Sequence, residues 1–201
     1  MKNIEKSIFI KSSNTLESCP KPVYPEYAFI GRSNVGKSSL LNMLTNIRNL
    51  AKTSSTPGKT KLINHFLINN EWYMVDLPGY GYVEKAKRKK KDTLLLITDY
   101  ILNRKNLICL FILLDCRHDP QIIDLEFIKW IGINKVPFVL CFTKADKIST
   151  SLLDKRLQNY KKILLKSWQT LPDIFVTSSV EKTGREEILN FIFDANSTVN
   201  I

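Results

Sequence analysis

Short apolar runs alternate along the chain with longer stretches of helical spacing. Residues 7–11 (Ser-Ile-Phe-Ile-Lys) look like a first strand, and residues 12–25, with Pro20, Pro22 and Pro25, predict an irregular connection. Residues 26–31 predict a second strand and 37–47 a first helix. Residues 62–69 and 71–76 are strand-like runs either side of an Asn69-Asn70 turn, which sets one strand antiparallel to its neighbours. Residues 92–104 predict a helix with Leu94, Leu95, Thr98, Ile101 and Leu102 on one face.

The run Leu107 to Leu114 is apolar without alternation, as in a central parallel strand covered on both sides. Asp119-Pro120 predicts a helix start, Ile123, Phe127 and Trp130 its core stripe, and Gly132 its stop. Residues 136–142 form another buried strand, 150–168 a long basic helix and 173–177 a last strand. Thr183-x-x-Glu186 resembles a capping box that opens a final helix through Phe193. Strand and helix alternate from residue 26 onward. The expected fold is α/β: a single three-layer domain with a mostly parallel sheet of about six strands, one of them antiparallel, and helices on both faces. In such a domain ligands bind beyond the carboxyl ends of the strands.

At that edge stands Gly31-Arg32-Ser33-Asn34-Val35-Gly36-Lys37-Ser38, between a predicted strand and a predicted helix. It fits the P-loop pattern, which makes this a P-loop NTPase domain with a core of about residues 26–195. Glycines let the backbone curl until consecutive N–H groups reach phosphate oxygens. Lys37 offers a positive charge at the β/γ phosphates and Ser38 a hydroxyl to Mg²⁺. The following helix adds its dipole. Residues 48–61 are polar and contain Thr56-Pro57-Gly58-Lys59-Thr60, read either as a surface turn or as a switch loop whose Thr60 closes over Mg²⁺. Asp76-Leu77-Pro78-Gly79 follows an apolar strand, so its carboxylate is placed to hold a water of the Mg²⁺ shell. Thr143-Lys144-Ala145-Asp146 distinguishes GTP from ATP. A carboxylate accepts from the N1–H and exocyclic amine of guanine, a donor pair that adenine lacks. Backbone amides near Ser178 and Ser179, after Thr177, are placed to meet the guanine carbonyl.

Composition sharpens the class. Four scattered cysteines, Cys19, Cys109, Cys116 and Cys141, and two histidines without spaced partners give no disulfide framework and no zinc site. The longest apolar run is too short to span a bilayer, and the first residues lack the core of a signal peptide, which predicts a cytoplasmic protein with no membrane partner. The net charge of +11 calls for a polyanionic partner, RNA above all. Six basic residues fall in the seven from Lys85 to Lys91, read either as a solvated face or as phosphate contacts beside a switch.

With these motifs in order, the chain resembles the EngB (YihA/YsxC) GTPases, in the TrmE–Era–EngA–EngB branch. The resemblance rests on the P-loop through Ser39, on Thr56 to Thr60 followed by Leu62-Ile63-Asn64, on Asp76-Leu-Pro-Gly-Tyr-Gly-Tyr82 and on Thr143 to Asp146. It runs from about residue 5 to residue 195 with no further domain. It implies GTP and GDP as ligands and Mg²⁺ held at Ser38 and Thr60. GTP contacts are implied at Gly31 to Ser38, at Gly58, Lys59, Thr60, Lys61 and Leu62, at Asp76, Leu77, Pro78 and Gly79, at Thr143, Lys144, Ala145 and Asp146, and at Thr177, Ser178 and Ser179. Lys37, Thr60, Asp76 and Gly79 are the implied catalytic positions. A GTPase monomer is implied that assists assembly of the large ribosomal subunit through rRNA and is linked to cell division and septation. An asparagine at the position of Asn34 helps hold K⁺ in related GTPases. His65 stands where that family leads one to expect an aromatic residue. Tyr80 stands where Ras-like enzymes carry a water-orienting glutamine, so slow hydrolysis is expected. A nucleotide kinase would have no use for Thr143–Asp146, and an RNA-binding module none for the nucleotide motifs. A signalling or tRNA-modification GTPase is the nearest alternative.

Overall fold

The computed structural model describes residues 3–51, 62–81 and 87–198, with the backbone alone for residues 87–91. In chain order the elements are β1 (Ser7–Ser13), β2 (Glu26–Gly31), α1 (Lys37–Thr45), β3 (Ile63–Ile68), β4 (Trp72–Asp76) and α2 (Lys87–Asn103). There follow β5 (Leu107–Asp115), α3 (Ile122–Ile133), β6 (Phe138–Thr143), α4 (Thr150–Leu164), β7 (Ile174–Val176) and α5 (Arg185–Thr198). The strands form one sheet in the order β1-β3-β4-β2-β5-β6-β7, in which β3 alone runs against the others. The sheet has seven strands rather than about six, because β1 pairs along β3 at the edge.

The period of two along β2 divides the core. Tyr27 and Phe29 face one side, with α1 and α5 packed there through Leu40, Leu44, Ile188 and Ile192. Ala28 and Ile30 face the other, covered by α2, α3 and α4 through Ile97, Ile128 and Leu164. Buried runs on both faces are what helices on both sides of a parallel sheet demand. At the amino end of β2, fully buried Glu26 accepts from both Nε and Nη2 of Arg104 and from the Tyr100 hydroxyl. His65 fills an aromatic slot beside them, its ring centroid 5.7 Å from that of Tyr73 and 6.2 Å from that of Tyr100.

Several expected helix details shift for physical reasons. α2 starts within the lysine run and buries Leu96, Ile97, Tyr100 and Ile101, leaving Leu94, Leu95 and Leu102 exposed. The Tyr100–Glu26 bond and the apolar residues beside it set this rotation. α3 starts at Ile122 with Gln121, not Asp119, as its N-cap, and buries Asp124, Phe127, Ile128 and Ile131, while Ile123 lies partly exposed. Gly132 lies inside α3 and does not stop it. A Cβ there would overlap the Trp168 indole, so this glycine serves close packing. α4 ends at Leu164, followed by Leu165 as its cap. Thr183 pairs with Ser178 in an isolated bridge, and α5 opens after Gly184 (φ 77°), so the expected capping box is replaced by a turn that needs glycine. α5 then continues past Phe193 to Thr198.

Candidate functional site

The carboxyl ends of β2, β4, β5, β6 and β7 meet at one edge of the sheet, where the strand order reverses direction about β2. Gly31 closes β2 level with Leu113 of β5. A Cβ on Gly31 would press on the Leu113 carbonyl and the Val35 side chain, so only glycine lets the loop turn here. Asn34 (φ 61°) and Gly36 (φ 102°) take left-handed conformations that curl the chain into α1. Gly36 is the N-cap of α1 and contributes no side-chain cap, so an anion at this end would complete the first-turn N–H groups.

Two residues of the Thr143–Asp146 turn hold this loop in place. Thr143 Oγ1 donates to the Val35 carbonyl at 2.6 Å, and Lys144 Nζ donates to the Asn34 carbonyl at 2.5 Å. Lys144 also reaches Asp115 Oδ2 at 2.8 Å, where Arg117 grips the same carboxylate through Nε and Nη2. Burial alone would raise the Asp115 carboxyl, but Arg117 and Lys144 bring it down to about 2. Lys144 itself is left-handed (φ 64°), a strained position for a β-carbon residue that these contacts fix. Asp115 ends a strand opposite Thr143. Its acidic end on an apolar strand is the signal by which sequence reasoning could have assigned it a role at the site.

Asp76 ends β4 level with Phe29, and Leu77 N donates to the Phe29 carbonyl at 3.0 Å. The Lys37 ammonium is ion-paired to the Asp76 carboxylate, both side chains being nearly buried. Asn64 Nδ2 lies 3.4 Å from the second Asp76 oxygen, and Ser12 donates to Asn64 Oδ1 at 2.6 Å. Asn64 faces Asp76 in the β3–β4 register, so the Asn69-Asn70 turn already placed it there. Leu77 and Pro78 are buried, and a Cβ on Gly79 would sit 2.8 Å from the Gly31 carbonyl. The chain after Asp76 therefore lies directly on the P-loop.

Asp146 follows in a one-turn 3-10 segment, Ala145–Lys147. Its carboxylate is held below the usual range by Lys147 at 3.0 Å and by the Ser178 hydroxyl, which donates at 2.8 Å. Ala145 N donates to the Thr177 carbonyl at 3.1 Å, joining this turn to the end of β7. The Ser178 amide donates to the Thr183 carbonyl, while its hydroxyl serves Asp146. Ser179 is adjacent in this turn.

The structure adds one buried group that the sequence pattern concealed. Asp124 of α3 is 1% exposed and its Oδ1 lies 3.1 Å from Arg32 Nε and 2.8 Å from the Tyr80 hydroxyl. Tyr80 stacks on Phe127 with ring centroids 4.1 Å apart. Burial raises the Asp124 carboxyl. An acidic residue on a helix reads as solvent-facing unless its partners are known. Arg32 is thus turned to α3, and its side chain leaves the phosphate cradle to the loop backbone.

The described site therefore brings together residues 31–38, 76–79, 143–146 and 177–179. Leu62 is exposed just before β3. Gly58, Lys59, Thr60 and Lys61 lie outside the described residues, as do Lys85, Ala86 and the side chains of residues 87–91. Among the described residues no cluster of three or more His, Cys, Asp or Glu could hold a metal, and the four cysteines are free. No described helix is long and apolar enough to cross a membrane.

Residues 26–144 match a family model described as 50S ribosome-binding GTPase. A protein of Christiangramia forsetii named "Probable GTP-binding protein EngB" is 52% identical over 196 residues, covering 98% of this chain and 99% of its own. A Porphyromonas gingivalis protein of the same name is 53% identical over 193 residues, covering 96% of each chain. Among solved structures, a probable GTP-binding protein engB superposes with TM-score 0.68 at 23% identity, over 87% of this chain and all of the other. Era in complex with MgGDPNP and nucleotides of 16S ribosomal RNA gives TM-score 0.68 at 21% identity, over 86% and 56%. These two superpositions establish the P-loop GTPase fold, while the match at half identity over nearly full length establishes the relationship. The chain belongs to the EngB family of GTP-binding proteins.

Proposed function

We propose that this GTPase is a slow guanine-nucleotide switch that assists assembly of the large ribosomal subunit and thereby supports normal cell division. The observation that carries the nucleotide part is the double tie from Thr143 and Lys144 to the carbonyls of Val35 and Asn34. It fixes the phosphate loop against the turn that bears Asp146, so one bound nucleotide meets both. Asp146 would accept from the guanine N1–H and amine, and the stem of Lys144 would lie along the base.

Ser38 and Thr60 offer hard oxygen donors suited to Mg²⁺, and Asp76, beside Lys37, would hold a water of its shell. When bound, Mg²⁺ would neutralise charge between the β and γ phosphates. Lys37 supplies the fixed positive charge of the chain itself, and the Asn64–Asp76 contact orients the carboxylate. The Gly79 backbone approaches the γ-phosphate position because no Cβ intervenes. Gly31 to Ser38, Gly58 to Leu62, Asp76 to Gly79 and Thr177 to Ser179 complete the reading of the site. Tyr80 is committed to Asp124 and Phe127, which supports an intrinsic rate of about 10⁻⁴ to 10⁻³ s⁻¹. A partner or a K⁺ ion near Asn34 would supply what is missing.

In this cycle the GTP-bound state displays Lys85–Lys91 to rRNA. The protein acts in the cytoplasm as a monomer. The charge of +11 and the match to a family of 50S ribosome-binding GTPases support the ribosomal partner. Co-sedimentation with purified ribosomal subunits, comparing a non-hydrolysable GTP analogue with GDP at fixed salt, tests it. Binding to the large subunit with the analogue alone is the expected result. Absence of binding in both states would overturn the ribosomal part and favour a signalling GTPase.

A further inference from the structure

We infer that α4 carries a second RNA-binding surface, one that contacts the phosphate backbone of double-stranded RNA whichever nucleotide is bound. α4 packs on the sheet through Leu153, Leu157, Tyr160 and Leu164. At about 100° per residue, Lys155, Asn159 and Lys162 fall within an arc of roughly 60° on the opposite side of the helix, and Lys166 follows in the turn just after its end. All four are exposed. Beside them, Gln158, Lys161, Lys162, Leu165 and Lys166 line a shallow cleft of about 430 Å³.

Residues 150–166 hold five basic residues and one acidic residue. Arg156 is paired with Asp119, whereas Lys155, Lys161, Lys162 and Lys166 make no ion pair among the described residues. Asp154 lies about 100° round the helix from Lys155. The result is an uncompensated cationic stripe, running roughly 10 Å along α4 from Lys155 to Lys162 and continued by Lys166 in the turn beyond it. Such a concentration of unpaired positive charge is complementary to a polyanion.

The chemistry of the stripe selects among polyanions. A membrane-surface helix inserts its apolar face, but here that face is buried in the core. Gln158 and Asn159 stand among the lysines, and their amides donate to phosphate and 2′-hydroxyl oxygens as well as accepting from the latter. Charge and amides together fit a duplex RNA backbone better than an acidic peptide. α4 follows the Asp146 turn and returns along the sheet, so Lys155, Lys162 and Lys166 lie away from the nucleotide loops, on and just beyond a helix anchored in the core. The surface is therefore constitutive, unlike the run at Lys85–Lys91. It rests on the ribosomal reading above only for which RNA is met.

The test is filter binding of the full chain to a 20-base-pair RNA duplex, from 50 to 200 mM KCl, with GDP and with the GTP analogue. It compares wild type with the combined variant Lys155→Gln, Lys162→Gln, Lys166→Gln. The expected result is an affinity loss of about tenfold or more at low salt and a salt slope reduced by about two to three, equal in both nucleotide states. GTP hydrolysis stays at the wild-type rate. An unchanged slope, or a wild type that does not bind the duplex, overturns the inference. So does a variant that loses the large subunit while keeping the duplex, which marks an acidic protein partner. Wild type that binds the duplex through α4 but never co-sediments with the large subunit leaves α4 standing and removes the ribosomal reading instead.

Discussion

Tyr80 donates a 2.8 Å hydrogen bond to Oδ1 of Asp124, the oxygen that also faces Arg32. Three segments distant in sequence are joined there: the P-loop, the turn after Asp76 and α3. Asp124 Oδ2 is buried with no hydrogen-bond partner among the described residues, so the carboxylate depends on these two contacts. Tyr80→Phe should keep the stack on Phe127 and lower stability by about 1–3 kcal/mol, because it removes one of the two donors to a buried carboxylate. The rate of GTP hydrolysis should stay within about twofold. Urea denaturation and single-turnover hydrolysis read the two effects separately. A large fall in rate with unchanged stability would mean that Tyr80 acts on the reacting water.

Lys144 ties the loop at Asn34 to Asp115, joining the halves proposed for the phosphates and the base. Lys144→Met keeps most of the side-chain stem and removes both contacts of the ammonium. It should weaken GDP and GTP binding about tenfold to a hundredfold, the equivalent of one or two charge-assisted hydrogen bonds. Titration with a fluorescent GDP measures it. Equal affinity in the variant would show that the loop is fixed without the clamp.

Glu26 gives a pH signature far from the site. Burial would raise its carboxyl, but hydrogen bonds from Arg104 and the nearby His65 bring it down to about 2. An unfolded glutamate titrates near 4.3. The folded value is the lower one, so its stabilisation is present above about pH 4.3 and is lost as pH falls toward 2. The difference is about 3 kcal/mol. Glu26→Gln should flatten stability between pH 5 and 3 and cost about 3–5 kcal/mol at pH 7, where Arg104 is left buried without its partner. Denaturation at several pH values checks both.

Much of this was legible beforehand. Gly31 to Ser38, Asp76 and Thr143–Asp146 are fixed by backbone demands and by strand ends, which leave local marks in sequence. β1 was legible as a strand, but its place at the sheet edge depends on pairing with β3, which no local pattern encodes. Asp124 and Glu26 were not legible, because a buried carboxylate is distinguished only by partners such as Arg32 or Arg104 that lie elsewhere in the chain. Helix faces failed for the same reason. Tyr100 turns inward to reach Glu26, and Gly132 makes room for Trp168 instead of ending a helix.

K⁺ dependence follows from the proposed role of Asn34, whose left-handed backbone is fixed through the Lys144 bond to its carbonyl. Single-turnover hydrolysis should run at least several-fold faster in KCl than in NaCl at equal ionic strength. Identical rates would remove the cation from the mechanism.

The most direct test of the central claim, that this edge of the sheet reads guanine through Asp146, is a base-swap titration. In xanthosine triphosphate a carbonyl replaces the guanine amine, so Asp146→Asn can donate where the carboxylate accepted. Calorimetry on wild type and Asp146→Asn should show GTP binding reduced by about a hundredfold or more and xanthosine triphosphate binding gained. Unchanged preference for GTP in the variant would contradict the account.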